Sequence, residues 1–378
     1  MTLAAPALDC GYHRAGLCDS CTRIDVPYAD QLARKDAAAR AAVPGATWLP
    51  PQASAVEAFR NKAKMVAGGT IDAPTLGILD GERRGVDLRR CPLHEQPIRD
   101  ALPVLAELVR DARVPPYSVP ERRGELKHVL VTSSPDGELM VRFVLRSTEA
   151  VPRIAKRLAW LRERIPGLVV ASASILPEHR AVVEGDVEVP LTHEQTLVMR
   201  LNGVPLALRP GGFFQTNTAV AAALYREATA WIDDVDPASV ADLYCGVGGF
   251  ALHAARPGRD VVGVETSAEA IAGAIETAAA TATPARFVVG DATAADDTTV
   301  DADLVVVNPP RRGIGALAVR LEASRARHVV YSSCNPTTLA RDLQAMPSLR
   351  PVRARMFDMF PHNDHAEVLV LLERVSDR

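Results

Sequence analysis

From about residue 240 to the end, short apolar runs alternate with longer helix-like ones. Val240–Leu243, Val261–Val264, Arg286–Val289, Leu304–Val307 and His328–Tyr331 read as strands, and Arg353–Phe357 and Ala366–Leu372 close the set. Between them, Ala268–Ala280 reads as a helix, and another is expected from just beyond Asn217 to about Trp231. Strands that are apolar throughout, and do not alternate, are buried on both faces, and helices between them supply parallel crossovers. The pattern predicts an α/β domain, seven-stranded and mostly parallel, over residues 206–378.

The first 205 residues follow a different rhythm. Residues 28–43 are rich in helix formers and stop at Pro44-Gly45. Residues 59–66 read as a strand of period two, with Arg60, Lys62 and Lys64 on one face. Strand-like runs recur at 128–132, 139–146 and 168–174, with a helix expected over 151–164. Without regular alternation these segments predict an α+β unit, 1–205, in which helix 28–43 is free to pack on the second domain.

Composition adds bounds. A chain of 378 residues exceeds what one core usually serves. Hydrophobic content of 48% and charged content of 24% are those of an ordinary globular protein. No apolar run reaches the ~18 residues of a membrane helix, and no secretion signal is read at the N-terminus. No membrane partner, no obligate protein partner and a cytoplasmic location are therefore expected. Net charge is −3, so a polyanion would have to be met by local patches such as the Arg60/Lys62/Lys64 row.

Candidate chemistry gathers where the strands end. The strand at 240 runs through Asp242 into Tyr244-Cys245-Gly246-Val247-Gly248-Gly249, and the next ends on Glu265, nineteen residues after Gly246. A glycine loop followed by an acid on the next strand is nucleotide-site logic. The loop lacks Gly-x-Gly-x-x-Gly and is closer to one that holds S-adenosylmethionine. Asp291, Asn308 and Cys334 end three further strands on the same edge. Cys334 precedes Asn335-Pro336, a helix cap and first turn, where a helix dipole favours thiolate. Glu367 opens an otherwise apolar strand, costly for a carboxylate unless it is paired or used.

Near the N-terminus stand Cys10, Cys18 and Cys21, with Cys91 far downstream. Clustered cysteines outside an oxidising compartment more often hold metal than form disulfides. A zinc ribbon would need a second Cys-x-x-Cys, and three plus one suits an iron–sulfur cluster at least as well. The spacing of radical enzymes is missing.

Taken together, Asp242-Leu-Tyr-Cys-Gly-Val-Gly-Gly249, Phe214-Gln-Thr-Asn217, Asn308-Pro-Pro-Arg311, Ser332-Ser-Cys-Asn335 and Phe360-Pro-His…His365-Ala-Glu367 resemble the RNA 5-methyluridine methyltransferases. Cys10-x7-Cys18-x2-Cys21 and Phe59-Arg-Asn-Lys-Ala-Lys-Met65 are most similar to the branch acting on 23S ribosomal RNA. The resemblance implies a Rossmann-like S-adenosylmethionine domain behind an N-terminal domain carrying a [4Fe–4S] cluster. It implies Cys334 as nucleophile and Glu367 as general base. Gln215, Tyr244, Glu265, Asp291 and Asn308 would bind S-adenosylmethionine, and Cys10, Cys18, Cys21 and Cys91 would ligate the cluster.

Overall fold

A computed structural model describes residues 8–179, 182–295 and 297–375. Two large sheets dominate it. The C-terminal sheet has eight strands in the spatial order Thr47–Trp48, Leu349–Phe357, Glu367–Arg374, His328–Ser333, Leu304–Val307, Ser239–Leu243, Asp260–Glu265, Arg286–Val289. All run parallel except Glu367–Arg374, which is antiparallel to both neighbours. The seven expected strands are present. The eighth, Thr47–Trp48, comes from far upstream and extends the edge beside Leu349–Phe357.

The chain leaves Ser239–Leu243 in one direction across the sheet and resumes at Leu304–Val307 on its other side. That reversal is the switch point at which open α/β sheets carry ligands. Leu304–Val307 is wholly buried, as its unbroken apolar run required. Helix Thr218–Val235 is capped by Asn217, whose side chain accepts from Val220 N, and helix Ala268–Thr281 by Ser267. A hairpin, Leu197–Leu201 with Val204–Leu208, packs its buried residues into the same core as helix Thr218–Val235.

The N-terminal sheet has seven strands, in the order Gly85–Asp87, Pro74–Leu79, Lys62–Gly69, Leu126–Ser133, Leu139–Leu145, Leu168–Ile175, Val187–Pro190. Only Leu139–Leu145 and Leu168–Ile175 are parallel neighbours, and the crossover between them is the helical stretch expected over 151–164. That stretch is two short helices, Val151–Ala155 and Leu158–Arg164, not one. Helix Gln96–Asp111 was not expected. Its buried face (Ile98, Ala101, Leu102, Leu105, Leu108, Val109) has a clean helical period, but Pro103 in its interior counts against a helix on local grounds. Tertiary burial overrides that penalty.

Helix Tyr28–Ala42 packs on the C-terminal sheet through a buried ion pair. Lys35 Nζ stands 2.7 Å from Asp358 Oδ1 and also donates to the carbonyl of Phe360 at 2.8 Å. Among the described residues no helix is long and apolar enough to cross a membrane.

Candidate active site

At the switch point the strand Ser239–Leu243 ends in a loop whose backbone is unusual. Tyr244 has φ +68°, Gly246 +55° and Gly248 +81°, so three of five successive residues lie in the left-handed region. Gly249 is required for closeness, because a Cβ there would stand 2.5 Å from the Tyr225 hydroxyl. Gly246 faces the opposite situation: a Cβ would meet nothing within 4 Å, so the loop borders open space. Asp242 holds the turn from inside. It is fully buried, Oδ2 accepts from Ala251 N at 2.9 Å, and Oδ1 has no partner. Burial, reinforced by nearby Glu265, pushes its carboxyl up to about 7.

Glu265 is oriented toward that loop. Its Oε2 accepts from Gly246 N at 3.3 Å, and Oε1 from Thr266 Oγ1 at 2.8 Å and Ser267 N at 3.0 Å. Burial raises the Tyr244 hydroxyl, and both Asp291 and Glu265 lie close enough to add to the effect. Asp291 accepts from the backbone N and the hydroxyl of Thr293, each at 2.8 Å, which holds its carboxyl below the usual range. Asn308 enters beside this group, its backbone N 3.5 Å from Leu243 O. Gln215 is buried at the start of helix Thr218–Val235, and its carbonyl accepts from Asn61 Nδ2 at 2.9 Å. Open space at Gly246, with Glu265 oriented onto its backbone N, suits a ligand with ribose hydroxyls.

Cys334 and Glu367 are brought together by sheet register. Ser332 pairs with Leu369 and Ser333 with Val368 across antiparallel strands, so the next step sets Cys334 opposite Glu367. Glu367 is buried and accepts from Ser332 Oγ at 2.5 Å. Burial pushes its carboxyl up to about 7, against the pull of that hydrogen bond. The Cys334 thiol is also raised, first by burial and then by Glu367, while Arg311 opposes the shift. Asn335 does cap helix Pro336–Gln344, accepting from Thr337 N. The dipole's preference for thiolate is nonetheless outweighed in the free protein by desolvation and the facing carboxylate.

Two residues here, Ser332 and Arg311, stand in the motifs read from the sequence but were given no role there. Ser332 was only one of a Ser-Ser pair. Period two along the strand was the available signal, since it puts Ser332 and Cys334 on one face. Arg311 donates from Nη2 to His365 at 3.1 Å, while its carbonyl accepts from Asn335 Nδ2 and Thr338 Oγ1 at 3.1 and 3.2 Å. It therefore ties the segment after Cys334 to the segment before Glu367. The N-terminal segment braces the same loop. Arg23 makes a paired contact with Asp364, its backbone N donates to His362 O, and Gln31 accepts from His362 N. The His362 ring reaches Val56 O at 2.6 Å.

The four N-terminal cysteines stand apart from this edge. Cys10, Cys18, Cys21 and Cys91 line one cavity of about 160 Å³, with Leu8, Ile24, Phe59 and Leu93 packed around it. All four are free thiols. Burial, with the other thiols close by, pushes Cys21 up to about 12, and Cys91 is raised too. Among the described residues no group of three or more His, Cys, Asp or Glu side chains is arranged to hold a metal ion. The thiols are spread around a void, not drawn onto one point.

Arg60 is found in the wall of this cavity, which Lys64 also lines. The strand starts at Lys62, and Arg60 precedes it in a bridge between His94 and Asn217. Lys62 is itself partly buried, and burial followed by Lys64 pushes its ammonium down to about 8. Only Lys64 of the three is well exposed, and Glu184 lies 3.8 Å from it.

Comparison with known proteins follows the same geometry. Residues 293–375 match the tRNA (Uracil-5-)-methyltransferase family, and residues 218–328 match the methyltransferase small domain. The 23S rRNA (uracil(747)-C(5))-methyltransferase RlmC of Halothiobacillus neapolitanus is 48% identical over 97% of this chain and 100% of its own length. RlmC of Vibrio cholerae is 43% identical over 97% of this chain and 100% of its own. The crystal structure of the Pyrococcus abyssi tRNA (uracil-54, C5)-methyltransferase in complex with S-adenosyl-L-homocysteine superposes with a TM-score of 0.76. Its identity is 25%, covering 93% of this chain and 85% of that one.

Proposed function

The chain belongs to the RlmC family of RNA uracil-C5-methyltransferases, and we propose that it methylates C5 of one uridine of 23S ribosomal RNA through a covalent Cys334–C6 intermediate. The uridine equivalent to position 747, named for its relatives, is the target of this reading. What supports the chemistry is the antiparallel register that pairs Ser333 with Val368, one step short of Cys334 and Glu367, together with the effect of Glu367 on the Cys334 thiol.

Uracil C5 is a poor nucleophile. Addition of the Cys334 thiolate to C6 makes C5 enolate-like, and C5 then takes the methyl group from the sulfonium of S-adenosylmethionine, releasing the thioether. Glu367, with a carboxyl near 7, accepts the C5 proton, and the electron pair left behind expels the Cys334 thiolate from C6. Bound RNA brings the uracil over Cys334, and a base within folded RNA reaches such a site only when splayed out or flipped. Gln215, Tyr244, Glu265, Asp291 and Asn308 hold S-adenosylmethionine beside the Gly246 opening. Residues 206–378 carry the methyl transfer and 1–205 the RNA recognition, in the cytoplasm where the RNA is.

The reading of the cysteine cavity as a [4Fe–4S] site rests on the four free thiols that line it, although among the described residues no group of three or more is arranged to hold a metal ion. Cys10, Cys18, Cys21 and Cys91 would be its ligands, and Arg60 in the wall would offset their charge. Such a cluster would cross-link the N-terminal segment to the loop around Cys91.

The test is a map of 5-methyluridine in 23S ribosomal RNA from a deletion strain and from the same strain complemented with the wild-type or Cys334→Ala gene. The modification should vanish, return with wild type, and stay absent with Cys334→Ala. Its persistence in the deletion strain would overturn the assignment.

A further inference from the structure

Asn61 lies at the joint between the two sheets, and it is almost fully buried. It comes just before strand Lys62–Gly69 of the N-terminal sheet, and its carbonyl accepts from Ser133 N at 2.8 Å at the end of the neighbouring strand. Its other polar groups turn toward the other domain. Nδ2 donates to Gln215 O at 2.9 Å and to Thr218 Oγ1 at 2.8 Å, and the backbone N donates to Thr216 O at 2.9 Å. One residue thus makes three hydrogen bonds to a four-residue segment, at positions 215, 216 and 218. A carbonyl oxygen only accepts, so the contact with Gln215 O requires the amide nitrogen of Asn61 on that side. The backbone of its neighbour Arg60 donates to Leu93 O at 2.8 Å, accepts from Glu95 N at 3.0 Å, and also bridges to Asn217.

We infer that Asn61 is a positioning residue for S-adenosylmethionine: through the carbonyls of Gln215 and Thr216 it sets where the Gln215 side chain meets the methyl donor. The inference rests on the reading of Gln215 as a cofactor residue. Segment 215–218 leads into helix Thr218–Val235; buried Phe214 and the Asn217 cap anchor it in the catalytic domain, and the Asn217 side chain also donates to Ser54 Oγ at 2.8 Å. Those anchors fix the ends of the segment. The carbonyls of Gln215 and Thr216, between them, are held from the N-terminal side by Asn61. Loss of the side-chain amide leaves the buried Gln215 carbonyl unpaired and takes a donor from Thr218 Oγ1, while the backbone bond to Thr216 O remains, so the peptide at Gln215 is held by one bond fewer. No sequence motif announces such a role, because Asn61 and Gln215 are far apart in the chain and meet only through the fold.

The experiment measures S-adenosylhomocysteine binding by calorimetry on the full-length protein and its variants. Asn61→Ala should weaken binding about tenfold, the scale of one to two buried hydrogen bonds. Its KM for S-adenosylmethionine should rise in parallel while kcat at saturation is retained, the signature of lost binding and not of lost chemistry. Should Asn61→Ala not fold, Asn61→Asp has the same shape, removes both side-chain donors and should weaken binding at least as much. A folded variant that binds S-adenosylhomocysteine as wild type does overturns the inference, as does a loss of kcat with KM unchanged. Gln215→Ala separates this from the reading beneath it. Normal affinity in Gln215→Ala with weak binding in Asn61→Ala would remove the Gln215 side chain from the site, yet keep the positioning of its loop. The reverse pattern would remove Asn61.

Discussion

Ser332 donates its hydroxyl hydrogen to Oε1 of Glu367 in the interior of the sheet, two residues along the strand from Cys334. A hydrogen bond to the charged form favours it, so Ser332 keeps the carboxyl from rising further than about 7. Glu367 acts as a base only when ionised. The single-turnover rate at which methylated RNA is released from Cys334 should therefore climb with pH through about 7. Ser332→Ala should move that limb to higher pH, because it removes the hydrogen bond that pulls the carboxyl down. Rate profiles of both proteins from about pH 6 to about 9 check this. A limb that stays in place in Ser332→Ala would detach Glu367 from the rate-limiting proton transfer.

The same raised carboxyl has a consequence for stability. Between the ordinary value of 4.5 and about 7, folded Glu367 keeps its proton while the unfolded residue has lost it. The folded state then binds more protons, and stability falls as pH rises through that window. Glu367→Gln removes the cost. At pH above 7 it should be more stable than wild type by on the order of 2 kcal/mol, with the gap closing below the ordinary carboxylate value. Urea titrations at both ends of the window measure it. A variant less stable than wild type at high pH would contradict the buried, weakly satisfied carboxylate.

Lys35 and Asp358 pose the opposite case, a buried pair that satisfies itself. Lys35→Met would leave Asp358 buried with neither oxygen paired to a cation, and Oδ2 already lacks a partner. The expected loss is about 3–5 kcal/mol, and pairing it with Asp358→Asn should recover part of it. Because the pair fastens helix Tyr28–Ala42 to the segment leading toward Glu367, activity should fall with stability. Full stability in Lys35→Met would show the pair to be dispensable.

Much of this molecule was legible because its key signals are local. Leu304–Val307 is apolar at every position, so the central strand and its ending at Asn308 could be read directly. The glycine loop, Glu265 and the Cys334 cap likewise depend on neighbours in sequence. What escaped depends on the fold. Arg60 read as part of a basic strand face, but the strand begins two residues later and Arg60 turns into the cysteine cavity. Helix Gln96–Asp111 was hidden by Pro103. Thr47–Trp48 is too short to announce itself and becomes a strand only by pairing with Leu349–Phe357. Ser332, Asn61 and the Arg311–His365 contact gain meaning only from partners 35, 154 and 54 residues away.

The cysteine cavity makes a prediction independent of catalysis. Protein purified without oxygen should carry iron and sulfide and show a visible iron–sulfur absorption band. Cys91→Ser should lose the band and much of the solubility, since Cys91 joins the N-terminal segment to the wall formed by Leu93 and Phe59. Wild-type protein that carries one zinc and no iron would show the cluster assignment to be wrong.

The most decisive prediction concerns Cys334 and Glu367 together, because they act at two ends of one intermediate. Cys334 forms the bond to uracil C6, and that bond breaks only after the C5 proton has left. Glu367→Gln preserves size and can still accept from Ser332, but it takes no proton. It should attack the uracil, accept the methyl group at C5, and then stall. The product is a protein–RNA adduct that survives SDS and carries label from the methyl of S-adenosylmethionine. Cys334→Ala should form no adduct, and the double variant should match Cys334→Ala, since without the first bond there is nothing for the second residue to release. Neutral Gln in place of Glu367 also removes the charge that opposes the Cys334 thiolate, so adduct formation itself should begin at lower pH in Glu367→Gln than in wild type. A labelled adduct in the absence of Cys334, or normal turnover by Glu367→Gln, would require a different nucleophile or a different base.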